Sequence, residues 1–347
     1  MKRHVLHVAD YGNRAPGSFV PAIVALSKEL RAAGDRCSLL VKAVDGAVWH
    51  ADAAAALDSF ATASTPREVF EGVWRAKADV VHVHFAGWSL PATAAAYARG
   101  GRVIWHLHSS MESGAGPLRL AARAGKYALF GAGVHRFVAV SDTLRQATIA
   151  MGVAPARTTV LRNAVDTRRF RPPTQSERTQ ARADLGIASE ERVVLFFGRD
   201  VAIKGADLLW NALDGSRPLT VLAVGLPPSA AAEFRKRVRT IELPFVADTA
   251  PLYWAADLLA LPSRREAAPY TLLEALCAGL PAVASEIAPL AEIAREAPGV
   301  RLVRSDPASL ASALRERFTY APAQIADARV RFGLERWVGE MRSLYAA

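Results

Sequence analysis

Two glutamates in the second half of the chain stand eight positions apart, in a segment that suits a ligand with two sets of hydroxyls. The segment 262–275 follows an apolar run and carries Glu266 in a polar turn and Glu274 further on. Pro269 suits the first residue of a helix, where a missing N–H costs nothing. Each carboxylate can accept two hydroxyl hydrogen bonds, and the intervening chain separates the two by roughly 10 Å at helical rise. The alternative is one glutamate that favours a helix N-terminus and one on the surface.

Two cations upstream suit a phosphorylated ligand. Gly198 and Arg199 end a predicted strand, and Lys204 and Gly205 open a predicted helix. Cations beside a helix N-terminus form a cradle for a diphosphate, through their charge and the free backbone N–H groups. The glycine spacing does not match a Walker A loop. No Asp-x-Asp pair occurs in the sequence, so we expect these cations, and not a metal ion, to neutralise the diphosphate. An exposed pair flanking a turn is the alternative.

Four histidines in the first half form two i, i+2 pairs. His82 and His84 share one face of a predicted strand, and His106 and His108 share one face of the next. A zinc site would need three well-placed ligands with no competing role, and we predict no metal. We interpret His82 and His106 as core residues and His108, nearest the strand end, as a functional one.

A loop near the start of the chain could approach a ligand through its backbone. Gly12 and Gly17 bracket this loop, and Ser18 follows as a possible helix cap. Glycine at such positions removes the side chain that would keep a ligand away. Asp10, just past the first strand, is a position from which a general base could act.

Short β-branched runs alternate along the chain with segments of helical period, which predicts parallel sheets built from βαβ units. The predicted strands are His4–Ala9, Cys37–Val41, Val80–His84, Val103–His108, Phe137–Val140, Thr159–Arg162, Val193–Phe197, Leu219–Val224, Ile241–Phe245, Leu258–Leu261 and Ala282–Ser285. The predicted helices include Pro21–Ala33, one capped by Ser141, Thr249–Ala256, Tyr270–Ala278 and Pro289–Arg295. Ligands of such sheets sit beyond the carboxyl ends of the strands.

The alternation is interrupted once, at Phe170–Thr174, and a polar stretch continues to about Arg182. We interpret this stretch as a linker. The α/β chain is therefore predicted to form two Rossmann-like, doubly wound domains, 1–168 and 169–327, that face each other across a cleft. A last helix, about Gln324 to Tyr345, has no strand after it, and its residues from about 328 to 347 are expected to pack back on the first domain.

Composition excludes several classes of protein. The 347 residues are 51% hydrophobic and 22% charged, which excludes a disordered chain. The net charge of +10 invites a nucleic-acid interpretation, but no helix carries a dense basic stripe, and we predict no nucleic-acid partner. Biased genome composition, a phosphorylated ligand or weak attraction to an anionic membrane would each account for the charge.

Arg119, Arg123 and Lys126 recur at helical spacing beside apolar residues, and such a basic amphipathic helix could rest on anionic lipid. An ordinary solvated face is the alternative. Cys37 and Cys277 match no metal or redox spacing and are predicted to be reduced. No apolar run is long enough for a signal peptide or a membrane span. We therefore expect a cytoplasmic protein, with peripheral contact at the inner membrane face as an option.

Taken together, these motifs resemble one family. The chain is similar from end to end to the retaining glycosyltransferases of family 4, which have the GT-B fold. The resemblance rests on the ordered segments Asp79–His84, Val103–Ser109, Val160–Asp166, Gly198–Gly205, and Glu266–Glu274 with the following Ala278–Ser285. The segment with the two glutamates is similar to the family's E-x7-E element.

The resemblance implies a role for each candidate residue. Glu274 would hold the nucleotide ribose, Glu266 the donor sugar, and Arg199 and Lys204 the diphosphate. The donor-binding residues implied are Gly198, Arg199, Lys204, Glu266, Ala268, Pro269, Tyr270, Thr271 and Glu274. His108 and the loop with Gly12, Gly17 and Ser18 would line the sugar and phosphates from the first domain, which would bind the acceptor. Where the family has a glycine-rich loop this chain has Ala267–Tyr270, and Pro269 cannot donate an N–H.

The function predicted is transfer of a hexose-type sugar from a nucleoside diphosphate, with UDP favoured, to an acceptor hydroxyl, with retention and without a metal. Arg199, Lys204, Glu266 and His108 are the predicted catalytic residues. The acceptor would be a small molecule, a lipid-linked molecule or a saccharide, and the nucleotide sugar would be the co-substrate, with no further cofactor. A nucleotide-sugar epimerase on the same scaffold and a non-catalytic sugar-nucleotide-binding subunit are the alternatives.

Overall fold

The computed structural model describes residues 2–109, 117–213 and 219–346. The chain forms two compact units, one of Met1–Asn163 with Leu334–Ala347, and one of Ala164–Gly333. The boundaries predicted from the sequence lay at 168/169 and near 328. We call these unit 1 and unit 2.

Unit 1 is built on a parallel sheet of seven strands in the order β3-β2-β1-β4-β5-β6-β7. The strands are β1 (His4–Ala9), β2 (Arg36–Lys42), β3 (Ser59–Ala63), β4 (Val80–His84), β5 (Arg102–Leu107), β6 (Arg136–Ala139) and β7 (Thr158–Val160). The helices are α1 (Phe19–Ala32), α2 (His50–Ala56), α3 (Pro66–Ala76), α4 (Ser89–Ala98), α5 (Pro117–Phe130) and α6 (Asp142–Ala150). Ser141 caps α6 as predicted, because its hydroxyl accepts a hydrogen bond from the Leu144 N–H.

Unit 2 is built on a parallel sheet of six strands in the order β10-β9-β8-β11-β12-β13. The strands are β8 (Val193–Phe197), β9 (Thr220–Val224), β10 (Arg239–Leu243), β11 (Leu258–Leu261), β12 (Ala282–Ser285) and β13 (Val300–Val303). The helices are α7 (Gln175–Asp184), α8 (Val201–Lys204), α9 (Ala206–Ala212), α10 (Pro228–Arg235), α11 (Ala250–Ala255), α12 (Tyr270–Cys277), α13 (Ala288–Glu296), α14 (Pro307–Arg315) and α15 (Pro322–Phe332). Apolar clusters cover both faces of this sheet, as expected of a parallel sheet whose strands are continuous hydrophobic runs.

The predicted linker is wrong from residue 175 onward, where the chain forms α7. Thr174 and Glu177 form a capping box at its start, and this pattern stabilises a helix even in a polar sequence. Arg182 is buried and donates to the carbonyl oxygen of Ala255 at 2.8 Å. The polar stretch therefore packs as a helix whose buried arginine donates from both terminal nitrogens to backbone carbonyls.

The single last helix predicted from the sequence is two helices. α15 ends at Phe332, and α16 (Leu334–Ala346) follows in unit 1. Gly333 between them is extended, with φ −75° and ψ 156°, and forms a parallel bridge with Val165. α16 packs on α1 within unit 1.

Candidate functional site

Two loops of unit 2 lie directly against each other, one after β8 and one after β11. Gly205 has a positive φ of +68°, and a Cβ there would meet the carbonyl oxygen of Pro262 at 2.0 Å. The Arg264 N–H donates to the carbonyl oxygen of Ile203 at 2.8 Å. Only glycine allows this approach, because it alone takes the left-handed conformation at little cost and has no side chain.

An ion pair reinforces the contact between the two loops. The Arg264 guanidinium donates to both carboxylate oxygens of Asp207, at 2.7 and 2.5 Å. These hydrogen bonds lower the pKa of Asp207. Arg264 also donates to the carbonyl oxygen of Ala202 at 2.8 Å. Our sequence analysis missed this pair, since its members are far apart in the chain and neither belongs to a motif.

Lys204 and Glu266, both predicted as catalytic, lie together. The Lys204 ammonium is 2.6 Å from Oε1 of Glu266, and the Ser263 hydroxyl donates to the same oxygen at 2.8 Å. The Glu266 side chain is only 9% exposed and that of Lys204 28%. An ammonium has three donors and a carboxylate two acceptor oxygens, so each partner keeps capacity for a ligand while it holds the other.

Lys204 was predicted to open a helix, and this prediction is wrong. It ends the one-turn helix α8, and Gly205 precedes α9. The Asp200 carboxylate caps α8 by accepting the Ile203 N–H at 2.8 Å. The left-handed Gly205 ends the first helix and starts the second, which places the Lys204 side chain beside the loop after β11.

Arg199 lies on the surface, directly after β8. Its guanidinium stacks over the ring of Phe245 at 5.1 Å, and that ring is itself 57% exposed. The preceding Gly198 donates its N–H to the carbonyl oxygen of Val224 at 3.0 Å, and a Cβ at this glycine would meet the Leu226 side chain at 2.3 Å. The strand end is therefore fixed by packing, whereas the Arg199 cation stays accessible.

Glu274 lies within α12 and is 6% exposed. Its Oε2 accepts a hydrogen bond from the Tyr253 hydroxyl at 2.6 Å. Burial, together with the charge of Glu274, raises the pKa of Tyr253 well above its usual value. The phenol is thus a fixed donor that orients the carboxylate, and no motif in the sequence indicates this partner.

The start of α12 at Tyr270 is the one predicted for the helix Tyr270–Ala278, but Pro269 precedes the helix and is not its first residue. Pro269 is the residue before the helix, with φ −69° and ψ 124°, and the helix begins at Tyr270 and Thr271. Ala268 and Pro269 are buried. A helix leaves its first N–H groups without intrahelical partners, so an anion at this end would be met by backbone donors of α12.

In unit 1, the loop that follows β1 is shaped by a tyrosine. The Tyr11 hydroxyl donates to the carbonyl oxygen of Pro16 at 3.0 Å. Gly17 has φ +55°, and a Cβ there would meet this hydroxyl at 2.7 Å, while Gly12 is exposed. Ser18 is the N-cap residue of α1, as predicted, but its side chain makes no capping hydrogen bond.

The predicted histidines of unit 1 are packed together. His82, His84 and His106 have no exposed surface, and His108 is partly exposed just after β5. Nε2 of His108 is 3.2 Å from Nδ1 of His84. His7 of β1, which the sequence analysis did not single out, contacts His84 as well, with Nδ1 2.9 Å from Nε2. Its position on the neighbouring strand was the available signal.

Lys126, one of the three basic residues of α5, does not point straight into solvent. The side chain of Arg119 lies outside the described part of the chain. Lys126 turns inward, donates to the carbonyl oxygen of Ala86 at 3.2 Å and lies 5.1 Å from the ring centroid of Trp105. Burial lowers its pKa. Within the described residues, no helix combines the length and apolarity needed to cross a bilayer.

Comparison with known proteins links both units to one family. A model described as Glycosyltransferase Family 4 matches residues 22–169, and one described as Glycosyl transferases group 1 matches residues 191–319. The chain belongs to the family 4 glycosyltransferases. The family predicted from the E-x7-E segment and its companions is confirmed.

Relatives of this family 4 glycosyltransferase include two named D-inositol 3-phosphate glycosyltransferases. The one from Geodermatophilus obscurus is 32% identical over 60% of this chain and 50% of its own length. The one from Catenulispora acidiphila is 29% identical over 91% of this chain and 84% of its own. The match to the first thus spans about half of that relative.

Among solved structures, Anabaena HepE in complex with UDP superposes with a TM-score of 0.81 at 21% identity, over 100% of both chains. At that identity the likeness shows the fold. The predicted GT-B fold, with two Rossmann-like parallel-sheet domains, is confirmed.

Proposed function

We propose that this family 4 glycosyltransferase moves a hexose-type sugar from a nucleoside diphosphate to an acceptor hydroxyl, with retention of configuration. The observation that carries the proposal is the pairing of Lys204 with Glu266 in two loops of unit 2 that Gly205 and Arg264 hold together. A cation and a carboxylate fixed side by side suit the two parts of a nucleotide sugar that react, the diphosphate and the hexose.

Each residue of unit 2 has a proposed task. Arg199 and Lys204 neutralise the diphosphate, Glu266 accepts hydrogen bonds from the donor sugar, and Glu274 accepts those of the ribose. Gly198 and the stretch Ala268–Thr271 contribute backbone contacts. Lys204 can retain Glu266 while donating to a phosphate oxygen, because an ammonium has three N–H donors.

Unit 1 is proposed to bind the acceptor, with His108 and the loop of Gly12, Gly17 and Ser18 as its contact residues. The two relatives are named for a phosphorylated cyclitol acceptor, and a net charge of +10 suits an anionic substrate. D-inositol 3-phosphate is therefore the first acceptor to test, ahead of lipid-linked and saccharide acceptors. UDP is the favoured nucleotide, supported by the UDP held by HepE.

The chemistry proposed places the largest change of charge on the departing diphosphate. Cations and helix N–H groups already fixed around it stabilise that charge without reorganising. The acceptor attacks from the face that the diphosphate leaves, and a leaving phosphate oxygen takes the acceptor proton, so no side-chain base is needed. Because the cations supply the neutralisation, we propose that no metal ion is required at the diphosphate.

The test begins with melting temperatures in the presence of UDP-, GDP- and ADP-sugars, each with and without EDTA. A ligand that binds the native state raises the melting temperature by mass action. The preferred donor is then incubated with acceptors, and the anomeric configuration of the product is read by NMR. We expect a UDP-sugar to stabilise the protein equally with EDTA, and the product to retain the donor configuration.

Other outcomes separate the alternatives. Conversion of the donor to another sugar nucleotide without any acceptor would support the epimerase. Tight donor binding without turnover on any acceptor would support the non-catalytic subunit. A requirement for a divalent ion in donor binding would overturn the proposed neutralisation by Arg199 and Lys204.

A further inference from the structure

Five histidines of unit 1 project from one face of three adjacent strands, and we call them the histidine cluster. Its members are His7 on β1, His82 and His84 on β4, His106 on β5 and His108 just after β5. His7 pairs in register with His82, and His84 pairs with His106. The proposed sugar transfer gives no task to His7, His82 or His84.

Burial disfavours the charged form of the histidines in the cluster. Burial lowers the pKa of His7 to about 3 and holds the pKa values of His82 and His84 well below their usual range. A neutral imidazole presents a nitrogen lone pair, which is the form that ligates metal ions.

His7, His82 and His84 each have one ring nitrogen near a side chain other than the remaining two of the three. The Tyr345 hydroxyl of α16 lies 2.7 Å from Nδ1 of His82 and 3.5 Å from Nε2 of His7. Nε2 of His108 lies 3.2 Å from Nδ1 of His84. Metal-ligating histidines engage their second nitrogen in this way, which fixes the ring and its tautomer.

The other nitrogens of the same three histidines have few partners besides one another. Nδ1 of His7 and Nε2 of His84 are 2.9 Å apart, and Nε2 of His82 has no hydrogen-bond partner among the described residues. One ligand atom from each of the three lies within 4.8 Å of those of the others, as is also true of His84, His106 and His108. Nitrogens bound to one tetrahedral zinc ion at 2.0–2.1 Å lie about 3.3 Å apart. A buried polar atom without a partner is rare, and an ion is one of its explanations.

We propose that His7, His82 and His84 bind one zinc ion, with Tyr345 and His108 as the outer residues that orient the ligands. Cysteine and carboxylate ligands are absent from this group, and an all-imidazole set suits zinc and similar transition metals, not magnesium or calcium. The ion belongs to unit 1, whereas Arg199 and Lys204 belong to unit 2, so the proposal is independent of metal-free neutralisation of the diphosphate. It departs from our sequence-based expectation that the histidines hold no metal.

The test measures bound metal directly. The protein is produced without a histidine tag, in medium supplemented with zinc or with cobalt, and dialysed to remove loose ions. We expect elemental mass spectrometry to find one zinc ion per chain. The cobalt-loaded protein should absorb visible light with the spectrum typical of cobalt at low coordination number. Folded wild-type protein that carries no stoichiometric metal after both preparations would overturn the proposal.

Substitutions within the cluster locate the ion. His82→Phe and His84→Phe keep an aromatic ring but remove the nitrogens, and each should lose the metal. His106→Phe is the matched control, because His106 is equally buried but outside the proposed ligand set, and it should retain one equivalent. Loss of metal in His106→Phe with retention in His82→Phe would refute the assignment.

Tyr345→Phe provides a milder variant, in case the histidine variants fail to fold. Removal of an outer partner typically weakens metal affinity 10–100-fold, which competition with a chromophoric chelator measures while circular dichroism monitors folding. Unchanged affinity in Tyr345→Phe would contradict the proposed arrangement. None of these measurements uses sugar transfer, so their outcome is independent of the proposed function.

Discussion

In unit 2 the polar residues of the candidate site follow the strands, in loops and in the helices after them, and several form charged pairs. Lys204 holds Glu266, and Arg264 holds Asp207. In unit 1 the polar residues of the histidine cluster stand mostly on the strands themselves, buried and neutral. All eight histidines of the sequence precede residue 136 and therefore belong to unit 1.

The difference follows from the cost of burying charge. A loop after a strand can keep a charged side chain partly solvated, whereas a strand in a covered sheet cannot, and a buried charge without a partner is very unfavourable. A neutral imidazole does not carry that cost. Two similar sheets therefore carry opposite chemistry, ionic at the loops of one and neutral inside the other.

The largest effect expected from this comparison is a loss of stability of unit 1 in mild acid. In EDTA-treated protein, the His7 pKa of about 3 in the folded state lies below its value of 6.5 in the unfolded chain. As the pH falls, the unfolded state binds the proton first. The contribution of neutral His7 to the free energy of unfolding is therefore fully present above pH 6.5 and is lost as the pH drops toward 3. At pH 5, His7 alone costs about 2 kcal/mol, and burial lowers the pKa of His4 as well.

Hydrogen exchange at pH 7 and 5, corrected for intrinsic rates, would measure this loss in each unit. Unit 2 contains no histidine, and Glu177, whose pKa is lowered to about 2 mainly by Arg171, loses its contribution only below about 4.5. Peptides of unit 1 should therefore lose protection first. Equal loss of protection in both units at pH 5 would contradict the proposal that only unit 1 depends on neutral histidines.

The next effect concerns the ionic loops of unit 2. Lys204→Met should lower turnover by about 10²–10³-fold, because removal of one fixed donor to a developing anion typically costs that much. The assay is sugar transfer from the preferred nucleotide sugar. Lys236→Met is the matched control, since Lys236 is the other lysine of unit 2 and pairs with Glu233 on the surface. Near-normal turnover in folded Lys204→Met would remove Lys204 from the site.

Two tyrosines test whether a hydrogen bond to a charged group stabilises the fold more than a hydrogen bond to a neutral one. Tyr253 donates to the carboxylate of Glu274, and Tyr345 lies against the neutral imidazole of His82. Hydrogen bonds to charged groups contribute about 1.5–3 kcal/mol and neutral ones about 0.5–1.5. Tyr253→Phe should therefore lower the free energy of unfolding more than Tyr345→Phe, as measured by urea denaturation of EDTA-treated protein at pH 7.5. The reverse order would contradict the difference expected between a carboxylate partner and a neutral one.

Tyr253→Phe should also act on ligand binding, which Tyr345→Phe should not. Without the phenol, the Glu274 carboxylate loses a donor that fixes its orientation toward the proposed ribose. We expect a rise in KM for the nucleotide sugar with a smaller change in kcat. An unchanged KM would contradict the proposal that Glu274 binds the ribose.

Much of the fold could be predicted, because buried parallel strands are continuous apolar runs. The bounds of β1, β4, β8, β11 and β12 are those predicted. β3 was missed because Ser59–Ala63 is a short edge strand with four of its five residues exposed or half-buried. β13 was missed because only the first residue of Val300–Val303 is buried. Periodicity identifies strands through burial, and edge strands give little of that signal.

The candidate site could be predicted only in part. Lys204 and Glu266 were found from their residue types and their places after strands, which the topology brings together. Asp207, Arg264 and Tyr253 could not be found, because their roles depend on contacts between residues distant in sequence. The histidine cluster lay between these cases, since the i, i+2 pairs were visible but the register that adds His7 was not.

The smallest effect expected is also the one that asks whether pairing of the loops matters for binding. Asp207→Asn removes the charge that holds the half-exposed Arg264. Exposed ion pairs contribute about 0.2–1 kcal/mol, so the dissociation constant of the nucleotide sugar should rise by about 1.5- to 5-fold, while the melting temperature changes little. Glu242→Gln is the control, since it breaks an exposed pair with Arg235 elsewhere in unit 2 and should leave the dissociation constant unchanged. Equal weakening in both variants, measured by calorimetry at low salt, would mean that the general charge of unit 2, and not the contact between its two loops, sets donor affinity.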